Sequence, residues 1–332
     1  MKIWRAMRDR LLAMASRFGD SLRRRFVDAV YQIRSDVDLQ RLESALEQRD
    51  LDSAMNVVAP DPAAMTPASE ELRTAYIETG TVLATAVSPS LRRGRLPLRF
   101  DIRRDAAAQW IRDSSLGLLT AVTEDQREII RELLFSSVQD GRRPRTMALD
   151  LVGRVNALTG RREGGVLGLS LPYARAVERA RRELTSGTDD LGAYLRRTRR
   201  DRRFDALVEG AIERGERLSR SDVDKIVGRY SERLLESRGQ LVAQNEIAEA
   251  MRAAEREVVE QLIEREGIAP GRVYKIWKSR RDERTRNSHE KIHNTRRRLD
   301  ERFDNGLLHP HEVGAPAREK VGCRCRVEYE VE

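Results

Sequence analysis

The chain has 332 residues, of which 39% are hydrophobic, 5% aromatic and 35% charged, and its formal net charge is +9. No apolar run approaches the roughly 18 residues of a membrane span, no leader peptide is recognisable, and two cysteines spaced Cys-x-Cys make no disulfide framework. This composition excludes a membrane-embedded or disulfide-stapled secreted class and points to helical packing in a reducing compartment rather than an aromatic-rich enzyme core.

Arginine supplies 57 of the 63 basic residues. That bias invites contact with nucleic-acid phosphates, although a GC-rich coding sequence produces it too. The 54 acidic residues offer much of the arginine a partner on helix surfaces.

Residues 2–34 predict one long basic amphipathic helix. Ile3, Trp4, Met7, Leu11, Met14, Phe18, Leu22, Phe26 and Val30 recur at spacings of three and four between arginines. Ile3, Trp4, Met7, Leu11, Phe18 and Leu22 are its candidate partner-docking side chains; a membrane surface or nucleic acid would suit the same face. Residues 37–58 predict an acidic helix that ends at Ala59-Pro60-Asp61-Pro62. Thr66-Pro67 opens another, with Glu70 and Glu71 in its first turn, where the helix dipole favours them, running to about Val87. The basic, Pro/Gly-marked stretch 88–97 is a linker and the first boundary.

Helices are then expected at 105–121, from Thr123 to Gln139, and at 145–158. The glycine-rich stretch Thr159–Ser170 lacks the G-x-x-x-x-G-K-[ST] spacing and a preceding strand, so it reads as a structured turn into a helix at 172–184. Further helices are expected at 189–198, 201–215, 221–236 and 238–266. The last pauses at Gly239 and is closed by Gly267 and Pro270. Val273–Trp277 and Val327–Val331 alternate as strands and are expected to pair. The expected fold is mainly α: a helical arm at 1–100, a helical body at 101–267 and a small α+β domain at 268–332.

All four histidines (His289, His293, His309, His311) and both cysteines fall between Trp277 and Cys325. Three chemistries compete there. Histidine and cysteine are zinc's preferred ligands, and His289, His293, Cys323 and Cys325 make a four-ligand set if the two histidines share a helix face. His289-Glu290-x-x-His293 also matches the H-E-x-x-H spacing of zinc hydrolases, with Glu290 as general base, but its flanks are polar where such a helix needs apolar ones. The favoured reading is structural: Asp282 with Arg284 and Arg286 would form paired charge-assisted hydrogen bonds tying the first strand to the Cys segment, with no required cofactor. His309 and His311 flank Pro310 and read as turn residues.

The order Trp277, Asp282-x-Arg284-Thr285-Arg286-x-x-His289, Phe303, then Cys323-Arg324-Cys325 before the final strand resembles the phage Mu protein F-like family of minor head proteins. An upstream element ending at Glu246 is similar as well. The chain departs from the family pattern at Gly322, where Asn is usual, at Gln244-Asn245, where Arg-Thr is usual, and at Asn294, where the turn after the histidine usually carries Gly. The resemblance implies a non-enzymatic minor capsid protein of a tailed bacteriophage, low in copy number and inside the head near the portal vertex after a period in the host cytoplasm. It further implies a role in head morphogenesis, DNA packaging or ejection. Its implied partners are the portal protein, other capsid subunits and packaged double-stranded DNA, with no membrane. The alternatives are a zinc hydrolase on His289, Glu290 and His293, and a membrane-active ejection protein using the N-terminal helix.

Overall fold

The computed structural model describes residues 3–87 and 97–332, apart from the side chains of residues 3–6, 115–116, 118–119, 121–122, 134 and 136–140. The predicted linker at 88–97 therefore lies outside the described residues except for Pro97, as do the side chains of Ile3 and Trp4. The fold is mainly α with a small C-terminal α+β part.

Helix α1 (Ile3–Asp36) runs unbroken. Its apolar stripe is used inside the chain: Met14, Phe18, Leu22, Phe26, Val27, Val30 and Ile33 are all buried. Phe18 and Leu22 are thus core residues rather than a surface for partners, and Leu11 packs against the chain's own core. The expected acidic helix is two helices, α2 (Leu39–Glu47) and α3 (Leu51–Val58). Asp38 and Asp50 cap their first turns, and the left-handed Arg49 sits between them. Helix α4 (Pro62–Val87) starts earlier than expected. Asp61 accepts the Ala63 N–H at 2.8 Å, and Pro67 sits inside the helix at the loss of one ladder bond.

The two helices expected between 105 and 139 are one, α5 (Asp105–Asp140). Asp125, which reads as part of a new first turn, is committed elsewhere: it accepts Arg238 at 2.7 Å and the Leu171 N–H at 3.3 Å. Helix α6 (Pro144–Val152) stops at Gly153, short of the expected 158. A hairpin of β1 (Arg154–Val155) and β2 (Arg162–Glu163) follows. At Gly164 the backbone passes so close to Gly228 that a Cβ would lie 2.7 Å from its Cα, which requires glycine. The turn then enters α7 (Leu171–Thr185), followed by α8 (Thr188–Leu195), a 3-10 turn at Arg202–Phe204 and α9 (Asp205–Arg214). Helix α10 (Arg220–Glu266) continues through Gly239 without a break.

The C-terminal part holds β3 (Val273–Lys278), α11 (Asn287–Lys291), β4 (Arg296–Arg298), α12 (Ala317–Lys320) and β5 (Arg326–Val331). The sheet order is β4-β3-β5, all antiparallel. Register places Trp277 opposite Val327 and Lys275 opposite Tyr329, so one face carries the buried side chains.

Contacts divide the chain into two units: residues 1–23, 67–116 and 240–332 form one, and residues 24–66 and 117–239 the other. This differs from the linear arm, body and domain expected from sequence. Helices α1, α4, α5 and α10 each contribute to both units, so linear segments do not mark them. In the first unit, Leu83, Ala84 and Val87 of α4 and Val258, Val259 and Leu262 of α10 share a core with Val273, Trp277, Val327 and Tyr329 of the sheet. Burying such side chains stabilises by about 1.5–3 kcal/mol each. In the second unit the buried Arg34 donates to Leu167 O at 2.9 Å, Gly165 O at 2.6 Å and Glu232 at 2.8 Å.

Candidate functional site

The loop after β3 is folded around Asp282. Its carboxylate accepts the Arg284 N–H at 3.2 Å and the Thr285 hydroxyl at 3.2 Å, while Thr285 Oγ1 accepts the Asp282 N–H at 3.1 Å. This closed loop lets Arg286 start α11. Arg324 reaches back to Asp282 at 2.6 Å, joining the Cys-Arg-Cys segment to the end of β3. Desolvation works against the charged Asp282, but the hydrogen bonds from Arg324 and Thr285 outweigh it and hold its pKa below the usual carboxylate range. Arg286 donates to Val321 O. Arg284 contributes its backbone N–H and leaves its side chain exposed.

Helix α11 places His289 inside. The ring is buried, edge-on to Trp277 at 5.1 Å, and Trp277 is edge-on to Phe303, also at 5.1 Å. His289 Nε2 lies 2.8 Å from Glu319, which also accepts the Ser288 hydroxyl at 3.0 Å. The ring's other nitrogen, Nδ1, faces both cysteines, 3.5 Å from Cys323 Sγ and 3.4 Å from Cys325 Sγ. Among the described residues these three side chains form the one His/Cys/Asp/Glu group with ligand atoms close enough, within 4.8 Å of one another, to hold a metal ion. The hydrogen bond from Cys325 holds the Cys323 pKa far below a thiol's usual value, and the same contact with burial pushes the Cys325 thiol up.

His293 is not part of the group. Helix α11 ends at Lys291 and Asn294 takes a left-handed conformation (φ 65°), so the expected shared helix face does not form. Its Nδ1 instead receives the Ser279 N–H at 3.1 Å and faces Ser279 Oγ at 2.8 Å. Burial and the nearby cations Arg281 and Lys278 hold its pKa below the usual histidine value. Glu290 is exposed, so the two histidines and the carboxylate of the hydrolase spacing are not assembled around one point.

Residues 202–328 match the family model described as Phage Mu protein F like protein. The chain carries a Phage Mu F-like region. No curated protein and no solved structure matches the chain.

Within this Phage Mu F-like region, two departures from the family pattern meet. Asn245 on α10 accepts the backbone N–H of Gly322 at 2.8 Å. Gly322 itself has φ 68°, a conformation that suits glycine. One turn along α10, Glu249 pairs with Lys320. Between them on α10, Glu246 is pushed up to about 7 by burial and by Glu249, against the opposing pull of Lys320 and His311.

Sequence reasoning missed Glu319, Asn245 and His311. His311 does occupy a turn (φ 58°), yet it is buried and its Nε2 lies 2.8 Å from Cys323 O. No spacing rule links these residues to the motif, because loops of no fixed length bring them in.

Proposed function

We propose that this chain is a minor structural protein of the head of a tailed bacteriophage, present in few copies inside the capsid near the portal vertex, where it assists head morphogenesis and DNA packaging or ejection. The observation that carries the proposal is the Phage Mu F-like match over residues 202–328. The geometry supports a structural rather than a catalytic use of the motif. Asp282 is engaged with Arg324, Arg286 with Val321 O, and Trp277 with His289 and Phe303. Each contact joins one chain segment to another.

The portal and neighbouring capsid subunits are the proposed partners, with packaged DNA contacted non-specifically through arginine. Among the described residues no helix is long and apolar enough to cross a membrane. The buried stripe of α1 also gives a membrane-active role no exposed apolar face over Phe18 and Leu22.

The test is made in a phage that encodes the chain. Quantitative mass spectrometry of purified particles should find it far below the shell protein in abundance, and cross-linking should join it to the portal. Its absence from both assembling and finished heads would overturn the proposal. Glu290→Gln should leave particle yield unchanged; a lost yield with intact protein would instead favour chemistry at that carboxylate.

A further inference from the structure

We propose that His289, Cys323 and Cys325 hold one divalent transition-metal ion of zinc's ligand preference, stapling α11 to the segment before β5. The inference is independent of the head role.

The geometry comes first. A tetrahedral zinc has bonds of about 2.3 Å to sulfur and about 2.0–2.1 Å to histidine nitrogen. Those lengths put the nitrogen–sulfur edge of the tetrahedron at about 3.5–3.6 Å. The distances from His289 Nδ1 to the two sulfurs are 3.5 and 3.4 Å. The three ligand atoms already stand close to the spacing that an ion would impose.

The tautomer is set to match. Glu319 accepts from His289 Nε2 at 2.8 Å, so the Nε2 proton is held there and the Nδ1 lone pair is turned toward the sulfurs. A carboxylate holding the far nitrogen is the usual support of a metal-bound histidine. Ser288 on the same carboxylate fixes its position.

The surroundings are also arranged for two negative sulfurs. Cys323 Sγ faces the Cys325 N–H at 3.5 Å. The Trp277 side chain and the Arg280 backbone N–H favour a charged Cys325 sulfur, against burial and the Cys323 contact. The indole nitrogen of Trp277 is buried and has no hydrogen-bond partner among the described residues. Two adjacent thiolates need a cation between them, and a proton serves only one. A divalent ion neutralises both, displacing the remaining thiol proton to solvent. Beside the cluster is a cavity of about 10 Å³ lined by Thr285, Gly322 and arginines including Arg280 and Arg324, about the space one water needs. A water there supplies the fourth ligand.

The test uses the full chain, reconstituted with zinc, freed of excess ion and analysed for bound metal. One zinc per chain is expected, falling to none in the Cys323→Ser/Cys325→Ser variant. Glu319→Gln keeps all three ligands and should weaken affinity about 10–100-fold with unchanged circular dichroism. Should the double variant not fold, cobalt on the wild-type chain decides: near-ultraviolet thiolate-to-cobalt absorption supports the site, and its absence overturns it. Sub-stoichiometric zinc after reconstitution, or zinc retained by a folded double-serine variant, overturns the proposal outright.

Discussion

Arg34→Met tests whether α1 is part of the fold or an arm laid against it. The guanidinium is fully buried and makes three hydrogen bonds, to Leu167 O, Gly165 O and Glu232. Methionine fills much of the space but donates nothing. Gly165 O keeps the Ser231 hydroxyl at 2.7 Å, so its loss is small. Glu232 is the costly residue: it keeps the Gly164 N–H at 2.7 Å and the Tyr31 hydroxyl, but loses its counter-charge while staying buried. Breaking a buried pair from one side costs about 3–5 kcal/mol, a large part of the roughly 5–15 kcal/mol that holds a domain folded. Urea unfolding followed by circular dichroism should show a lower midpoint at an unchanged slope. Adding Glu232→Gln removes the stranded charge and should return about 1–3 kcal/mol. A single-variant cost below about 1 kcal/mol would refute the reasoning and restore α1 as a detachable arm.

Three more outcomes follow from the same structure. Glu246 has its pKa raised to about 7 by burial and Glu249. The folded state therefore holds a proton that the unfolded state releases between about pH 4.5 and 7, and stability falls as pH rises through that window; Glu246→Gln should flatten the fall, by up to about 3 kcal/mol in urea titrations at pH 5 and 8. Lys275 has its pKa lowered to about 8, chiefly by burial, so its burial cost is full below pH 8 and relieved towards pH 10.5. Wild type should accordingly gain about 1–3 kcal/mol on Lys275→Met over that range, and a flat difference would contradict it. Asn294 is left-handed at φ 65°: Asn294→Gly should be neutral or stabilising, while Asn294→Val should cost about 1–2 kcal/mol in thermal unfolding.

Local patterns were legible where one physical signal acted alone. The stripe from Met7 to Val30 specified α1, and the alternation at Val273–Trp277 and Val327–Val331 specified the β3–β5 pair. Helix ends were misread where a cap-like residue served another purpose. Asp125 resembles a first-turn residue because the sequence does not show that Arg238, 113 positions away, binds it. Strand β4 is three arginines, Arg296–Arg298, and is set by pairing with β3 rather than by strand propensity. At the site, Trp277, His289, Phe303, Cys323 and Cys325 were visible as a group because rare side chains are concentrated there. The same rarity drew His293 into the group, although Asn294 ends that turn and leaves its ring on Ser279. Glu319 is common and exposed-looking in sequence, so nothing marked it before the fold placed it on His289.

The departures at Asn245 and Gly322 bear on what the motif is for. Asn245 uses its side-chain oxygen, and Gly322 offers only a backbone N–H, so the contact at 2.8 Å survives without a side chain on one partner. Glu249 and Lys320 repeat the connection one helical turn away with different chemistry. Both contacts hold the segment just before Cys323 against α10. A joint tolerates such exchanges as long as the distance between segments is kept. A group that must donate or accept a proton in a reaction does not, because its acidity and reach are fixed by its type. The positions matching the family pattern without exchange, Trp277, Asp282, Arg284, Thr285, Arg286, His289, Cys323, Arg324 and Cys325, include the His–Cys cluster and residues around it. The exchanges at Asn245 and Gly322 lie where the cluster is fastened to α10, and the one at Asn294 lies in the turn after α11. The proposed ion would place its strictest demand on the cluster itself, because its bond lengths are fixed.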